Sequence, residues 1–370
     1  MICAIVPLGR QRLFVRGYHT MRALVVQGRD VTVDRARRVP ELRDDSLLVR
    51  PSAIALNPTD WKSVSFGRAA DGCIVGCDYA GVVEAVGVAV EKPWRRGDRV
   101  FGCGHGANLM NKDDGVFAEY AVVKGDLQMR IPEGWSFERA ATVPLGAITV
   151  GQGLFRTSLK LDLPGESQQR KDIPVLIYGG TTATGALGVQ FAKLAGYTVI
   201  STSLPEQFDR VKRLGADFVF DYTDPTIGSQ IRKLTQNKLR YAWDTVSIPD
   251  SAKICADALS TESALCLRYG NLLPVKCLRD DVETTTTVMY TVFGNFFKFG
   301  DQDMSASQED FKFGRMFYEL TEKLLTEGKL KNHPEQVMPG GLDGVREGFE
   351  MQKAGKIKGA KLVYRLADTA

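Results

Sequence analysis

Pro174-Val175-Leu176-Ile177-Tyr178 is an apolar run that ends in Gly179-Gly180-Thr181-Thr182-Ala183-Thr184-Gly185-Ala186-Leu187-Gly188, an order of residue types suited to holding phosphate. A buried strand followed by small side chains lets the backbone approach a pyrophosphate. The phosphate charge then meets free N–H groups and the positive end of the helix that opens next. The spacing Ala183-x-Gly185-x-x-Gly188 follows the dinucleotide fingerprint with alanine in its first place. Alone, that spacing also fits a plain tight turn between strand and helix. Here strand, turn, helix and next strand come in order, which makes it a dinucleotide signal. The second strand ends Ile200-Ser201-Thr202-Ser203 without the carboxylate that would hold a ribose 2′-hydroxyl. Hydroxyls there suit a 2′-phosphate, and Tyr222 ends the next strand with a phenolic donor, so NADPH is the expected cofactor. Arg210 and Lys212 are nearby cations, although a solvated helix face explains them equally well.

A catalytic zinc needs three protein ligands and an open position. Asn57-Pro58-Thr59-Asp60-Trp61-Lys62 contains no cysteine, and Gly76-Cys77-Asp78-Tyr79-Ala80-Gly81 contains no histidine. Cys73-x-x-x-Cys77 is a pair without partners, and His19, His105 and His333 are far apart in sequence. No metal is expected. The chemistry is then hydride transfer without a Lewis acid, as in reduction of an activated C=C bond.

These residues must be placed by a scaffold larger than one core, since 370 residues exceed what a single core usually holds. The net charge of +4 lacks the basic stripe that nucleic acid requires. No apolar run approaches the roughly 20 residues that span a bilayer. Seven scattered cysteines fit reduced thiols in an intracellular, cytoplasmic setting better than a disulfide framework. Residues 1–20 carry Arg10, Arg12 and Arg16 and no acid, a composition shared by mitochondrial presequences and by untidy starts, and are set apart as an extension.

From Met21 to about Ala141 short strands alternate with glycine-rich turns, including Asp78–Gly87, Gly97–Gly102 and Gly115–Val123, and no helical period interrupts them. This predicts a mostly antiparallel, barrel-like β domain. Ser136 reads as a helix N-cap with Arg139 at the third helical position. From Ile173 strands alternate with helices, which predicts a doubly wound parallel sheet. Phe311–Thr326 is amphipathic, and Gly359–Leu366 reads as a last strand that rejoins the first domain. The fold class is therefore α/β, with a discontinuous barrel domain (21–145 and 305–370) and a Rossmann domain (146–304).

Asn57-Pro58-Thr59-Asp60, Gly76–Gly81, Gly97-Asp98-Arg99-Val100 and the glycine fingerprint together resemble the zinc-free, quinone oxidoreductase-like branch of the medium-chain dehydrogenase/reductase superfamily. Asn57–Lys62, Tyr178–Thr184, Phe218–Tyr222, Asn237-x-Leu239-Arg240-Tyr241-Ala242-x-Asp244 and Gly359-x-Lys361-Leu362-Val363 are similar to the trans-acting enoyl reductases of fungal polyketide synthases. The resemblance runs from about Met21 to Leu366. It implies a GroES-like catalytic barrel, and a polyketide or hybrid polyketide–peptide synthase that presents the enoyl chain on an acyl carrier. It also implies that Thr59, Asp60 and Lys62 line the nicotinamide end, and that Thr149, Val150, Gly151, Gln152 and Gly153 line the substrate channel. Thr181, Thr182, Ala183, Thr184 and Gly185 would hold the diphosphate. Ser203, Leu204, Tyr222, Lys358 and Gly359 would complete the cofactor site. Two features depart from the pattern: the glycine at 185, and Leu204-Pro205-Glu206-Gln207, whose Glu206 disfavours a phosphate.

On this reading hydride reaches the β-carbon of an α,β-unsaturated thioester, and Lys62 donates the proton or stabilises the enolate. Lys62 also fits a solvated surface lysine, Asp60 an Asx-type cap, and Thr149 a plain helix threonine. A stand-alone quinone or enone reductase shares every motif, a mitochondrial enoyl thioester reductase would explain the basic first residues, and a non-catalytic dinucleotide-binding partner of a synthase stands as a different class. The oligomeric state stays open: many zinc-free relatives dimerise through the edge of the cofactor sheet, while the resemblance implies that insertions in Leu278–Gly300, where that edge should lie, block pairing and leave a monomer.

Overall fold

The computed structural model describes residues 20–165 and 171–370. Arg10, Arg12 and Arg16, and with them the presequence expectation, lie outside the described residues.

The chain opens with the hairpin β1 (Thr20–Gln27) and β2 (Asp30–Arg38). β3 (Ser46–Ala55), β4 (Asp78–Val86), β5 (Arg99–Cys103), β6 (Ala121–Lys124) and β7 (Met129–Arg130) then build an antiparallel sheet around β3 and β4. Between β3 and β4 lies α1 (Pro58–Ser65), an eight-residue helix where the sequence reading expected only a turn. Its signal was in the ends rather than the period. Pro58 opens the helix with a pre-set φ, while the Asn57 N–H and the Asp60 carboxylate close a capping box. The expected strand at Gly115–Val123 is also shorter, because only Ala121 onward joins the sheet.

After α2 (Phe137–Ala141), capped by Ser136 Oγ accepting from the Arg139 N–H, and α3 (Pro144–Val150), the chain enters the second sheet. Its strands are β8 (Pro174–Tyr178), β9 (Thr198–Ser203), β10 (Phe218–Asp221), β11 (Tyr241–Asp244), β12 (Leu267–Asn271) and β13 (Val282–Thr286). They are parallel throughout, in the order β10-β9-β8-β11-β12-β13. The helices α4 (Ala183–Leu194), α5 (Phe208–Arg213), α6 (Ile227–Leu234) and α7 (Pro249–Ala258) make the crossovers. Val175, Leu176 and Ile177 are fully buried, as a strand covered on both faces requires. The order reverses between β8 and β11, and such a reversal leaves a ligand crevice at the carboxyl ends of the strands.

Beyond β13 the chain forms the small hairpin β14 (Phe297–Phe299) and β15 (Gln302–Met304), then α8 (Gln308–Thr326). β16 (Glu335–Met338), α9 (Gly341–Lys353) and β17 (Lys361–Arg365) return to the first sheet, where β17 pairs antiparallel with β3. The barrel is thus made from both ends of the chain. Among the described residues no helix is long and apolar enough to cross a membrane.

Candidate active site

The crevice between β8 and β11 is shaped by Gly179, whose φ of +86° favours glycine, and by Thr182, the N-cap of α4. Thr182 Oγ1 accepts from the Gly185 N–H at 2.9 Å and meets Thr245 Oγ1 at 2.9 Å across the crevice. Gly185 is needed here, because a Cβ would lie 2.2 Å from the Gly179 carbonyl oxygen. The amides of Ala183 and Thr184 keep no bonded partner among the described residues. Two free N–H groups at the positive end of a 12-residue helix fit a diphosphate. Thr181 is half-buried beside them.

At the outer end, Ser203 and Asp221 pair across β9 and β10, which sets Tyr222 one residue past the strand end and level with Leu204. The hydroxyls of Ser201 and Thr202 are already used, on the Ile177 carbonyl and the Gly179 N–H. Ser203 Oγ donates to the Leu204 carbonyl at 3.1 Å, so its lone pairs and the Tyr222 phenol are the hydroxyl groups left at this end. Arg210 turns inward and reaches His333 Nδ1 at 3.5 Å, whereas Lys212 is exposed. Its guanidinium packs so closely on Gly359 that a Cβ there would sit 2.3 Å from an Arg210 nitrogen. The turn bearing Lys358 and Gly359 therefore meets the cofactor sheet at this corner. No carboxylate pairs with Arg210 among the described residues.

At the inner end, α1 carries three of the expected residues. Thr59 Oγ1 lies 2.8 Å from the hydroxyl of Tyr290, which is buried, stacks on His105 and comes within 3.6 Å of Cys77 Sγ. Lys62 is half-buried and its ammonium sits 5.7 Å from the Trp61 ring. Burial and the Arg68 guanidinium hold its pKa below the usual lysine range. No carboxylate among the described residues bonds it. Asp60 is 3% exposed, and its Oδ2 accepts from the Asn57 N–H at 2.7 Å. That is the capping role.

Asp60 Oδ1 is buried without a partner, and burial, with the Asp78 carboxylate adding to it, pushes the Asp60 pKa up to about 7. Folding raises this pKa above that of the unfolded chain. Its stabilising contribution is therefore complete below about pH 4 and lost as the pH rises through about 7. Asp60→Asn keeps an acceptor for the cap and removes the charge. Denaturant unfolding of parent and variant at about pH 4.5 and about pH 8 should show the variant gaining some 2–4 kcal/mol relative to the parent at the higher pH. A difference that does not change with pH would show that Asp60 does not titrate in this range.

Behind Asp60 lies the buried pair of Asp78 and Lys361, 2.5 Å apart with side chains 0% and 3% exposed. Asp78 also accepts from Asn57 Nδ2 and from the Leu145 N–H. The segment read as a channel lining divides. Val150, Gly151 and Gly153 face the core, where a Cβ would strike Phe317 at 2.7 Å from Gly151 and Trp243 at 2.5 Å from Gly153. All three lie within, or just before, the π-helical turn Gly151–Arg156. Thr149 donates to the Leu145 carbonyl, and Gln152 donates to Thr291 Oγ1 while its Oε1 is left unpartnered. Tyr290 and Lys361 escaped the sequence reading of the site. Only the aromatic richness of Leu278–Gly300 hinted at Tyr290. Among the described residues no three His, Cys, Asp or Glu side chains converge as a metal site.

Comparison with known proteins agrees with this geometry. Residues 43–133 match the alcohol dehydrogenase GroES-like domain family, and residues 183–268 match the zinc-binding dehydrogenase family. The chain is 44% identical over 345 residues to trans-enoyl reductase resD of Aspergillus sclerotiorum, covering 89% of this chain and 95% of that one. It is 36% identical over 352 residues to the lovastatin nonaketide synthase enoyl reductase component lovC of Aspergillus terreus, covering 93% and 96%. The solved quinone oxidoreductase of Pseudomonas syringae pv. Tomato DC3000 shares the fold, with a TM-score of 0.72 at 20% identity over 94% of this chain and 100% of that one. Two sheets joined by a nucleotide crevice, and relatives that match nearly end to end, place this chain in the trans-enoyl reductase family of the medium-chain dehydrogenase/reductase superfamily, oxidoreductases built around a pyridine nucleotide.

Proposed function

We propose that the protein reduces the α,β-double bond of an acyl thioester held on the carrier of a partner polyketide or hybrid polyketide–peptide synthase, with NADPH as reductant. The Ala183 and Thr184 amides hold the diphosphate. Ser203, its hydroxyl turned from the Leu204 carbonyl to the ligand, Tyr222 and Arg210, with Lys358 and Gly359 beside them, receive the 2′-phosphate. When bound, the nicotinamide supplies hydride for the β-carbon. Negative charge then develops on the thioester oxygen, where the Lys62 ammonium stabilises it. The α-carbon takes its proton from Lys62 or from water. Thr59, tied to Tyr290, fixes the wall of the pocket from the catalytic side.

Lys62 is the observation that carries this reading. A half-buried ammonium on α1, without an acidic partner among the described residues, is available for charge that appears during reaction. The direct test is NADPH oxidation with crotonyl-pantetheine and longer 2-enoyl pantetheine thioesters beside a simple quinone, with NADH as control. Thioester turnover with NADPH and little with quinone supports the proposal, while quinone turnover with inert thioesters would replace it with the quinone reductase.

Cofactor choice has its own test. Arg210→Ala is expected to raise the KM for NADPH about tenfold or more and to leave that for NADH within about twofold, because a 2′-phosphate contact is worth about 1.5–3 kcal/mol. Equal changes with both cofactors would place Arg210 outside the 2′-phosphate site.

A further inference from the structure

A cavity of about 330 Å³ opens in the catalytic barrel on the far side of Tyr290. His105, Phe293, Phe297 and Met110 contribute to its lining. The charged side chains of the lining are closed on each other: Arg43 pairs with Asp114 at 2.8 Å, and Lys124 pairs with Asp45. Asp114 accepts further from Asn108 and Asn111. Neutralised in pairs, these groups offer little to an ionic ligand.

His105 stands apart from Asn108, the other buried neutral polar side chain of the cavity, which bonds Asp114. It is 9% exposed, borders the space, and makes no hydrogen bond with any described residue. Its ring cannot easily turn elsewhere for a partner. Tyr290 and Phe293 stack on it with centroids at 4.3 and 5.4 Å, and Phe297 meets it edge-on at 5.2 Å. Burial pushes its pKa down to about 3, so the imidazole is neutral at physiological pH and offers one donor and one acceptor. A polar ring that borders a cavity and has no protein partner calls for a ligand or a water. The lining joins Met110, Val122, Val123, Phe293 and Phe297 to the neutral side chains of Asn108, Asn111, Asn295 and His105, a mixture that suits a neutral hydrocarbon chain that bears an oxygen. At about 30 Å³ for each water-sized group, the space takes about ten of them.

We propose that this cavity receives the distal part of the acyl chain, and that His105 hydrogen-bonds a keto or hydroxyl oxygen on it, favouring oxygenated chains over plain ones. The inference rests on the enoyl reductase reading above. Tyr290 links the two places, with its hydroxyl on Thr59 and its ring on His105.

The test uses three pantetheine thioesters: crotonyl, a longer plain 2-enoyl chain, and a chain of the same length with a distal keto or hydroxyl group. The wild type should prefer the oxygenated chain over the plain one by about tenfold or more in kcat/KM, since a site built for an oxygen leaves its own group unpaired without one. His105→Leu should abolish that preference through KM while kcat on crotonyl-pantetheine stays within about twofold, which also reports an intact fold. His105→Gln, which keeps a neutral donor and acceptor, should restore part of it. Wild type that turns over the enoyl thioesters without preferring the oxygenated chain, or a His105→Leu loss equal on all three substrates, overturns the inference and leaves the reductase standing. Absence of any thioester turnover by the wild type removes both.

Discussion

Asp78→Ala is expected to lower the unfolding free energy by about 3–5 kcal/mol, because it strands a buried, charged Lys361 without its counter-ion. The carboxylate is more than half of an ion pair. It accepts from Lys361 Nζ on β17, from Asn57 Nδ2 at the start of α1 and from the Leu145 N–H in α3, so one side chain ties the chain's last strand to its first sheet and to the entry of the cofactor half. The double replacement Asp78→Ala with Lys361→Met removes both charges and should recover a large part of the loss, since the penalty comes from the unpaired charge. Denaturant unfolding of the parent, both single variants and the double variant measures this coupling. A double variant as unstable as the sum of the two singles would show that the hydrogen bonds, and not the charge pairing, account for the cost.

Lys62→Met should reduce kcat about 100-fold or more while the KM for the enoyl thioester changes little, the pattern of an interaction made mainly in the transition state. Methionine keeps the length and apolar stem of the lysine, so packing against Trp61 is preserved. Lys62→Arg separates the two roles open to the ammonium. Arginine keeps the charge but holds its proton too tightly to donate it, so retained activity identifies charge stabilisation and lost activity identifies proton donation. In the second case the wild-type rate should fall as the pH rises through the lowered Lys62 pKa, and the fall should be absent from the residual activity of Lys62→Met. A Lys62→Met enzyme with unchanged kcat would return this residue to the solvated surface.

The parts legible from residue order are those written over short distances. Pro174–Tyr178 reads as a buried parallel strand because its apolar residues are continuous, and the turn to Gly185 reads as a phosphate cradle because only small side chains let the backbone close on it. The same local logic identifies Ser136 as a cap and the return of the final strand to the barrel. The helix α1 was hidden, because eight residues with a single fully buried aliphatic side chain, Val64, show no helical period, although the Asn57–Asp60 capping box and Pro58 were there to be read. Thr59 and Tyr290 are 231 residues apart, Asp78 and Lys361 are 283 apart, and His105 gains its stacking partners from beyond residue 289. Caps, turns and periods depend on neighbours within about one or two turns of chain, so they can be read in order. Which buried polar groups find partners depends on how two sheets and both ends of the chain pack together, and that packing left Asp78 paired, Asp60 half-satisfied and His105 facing an open space.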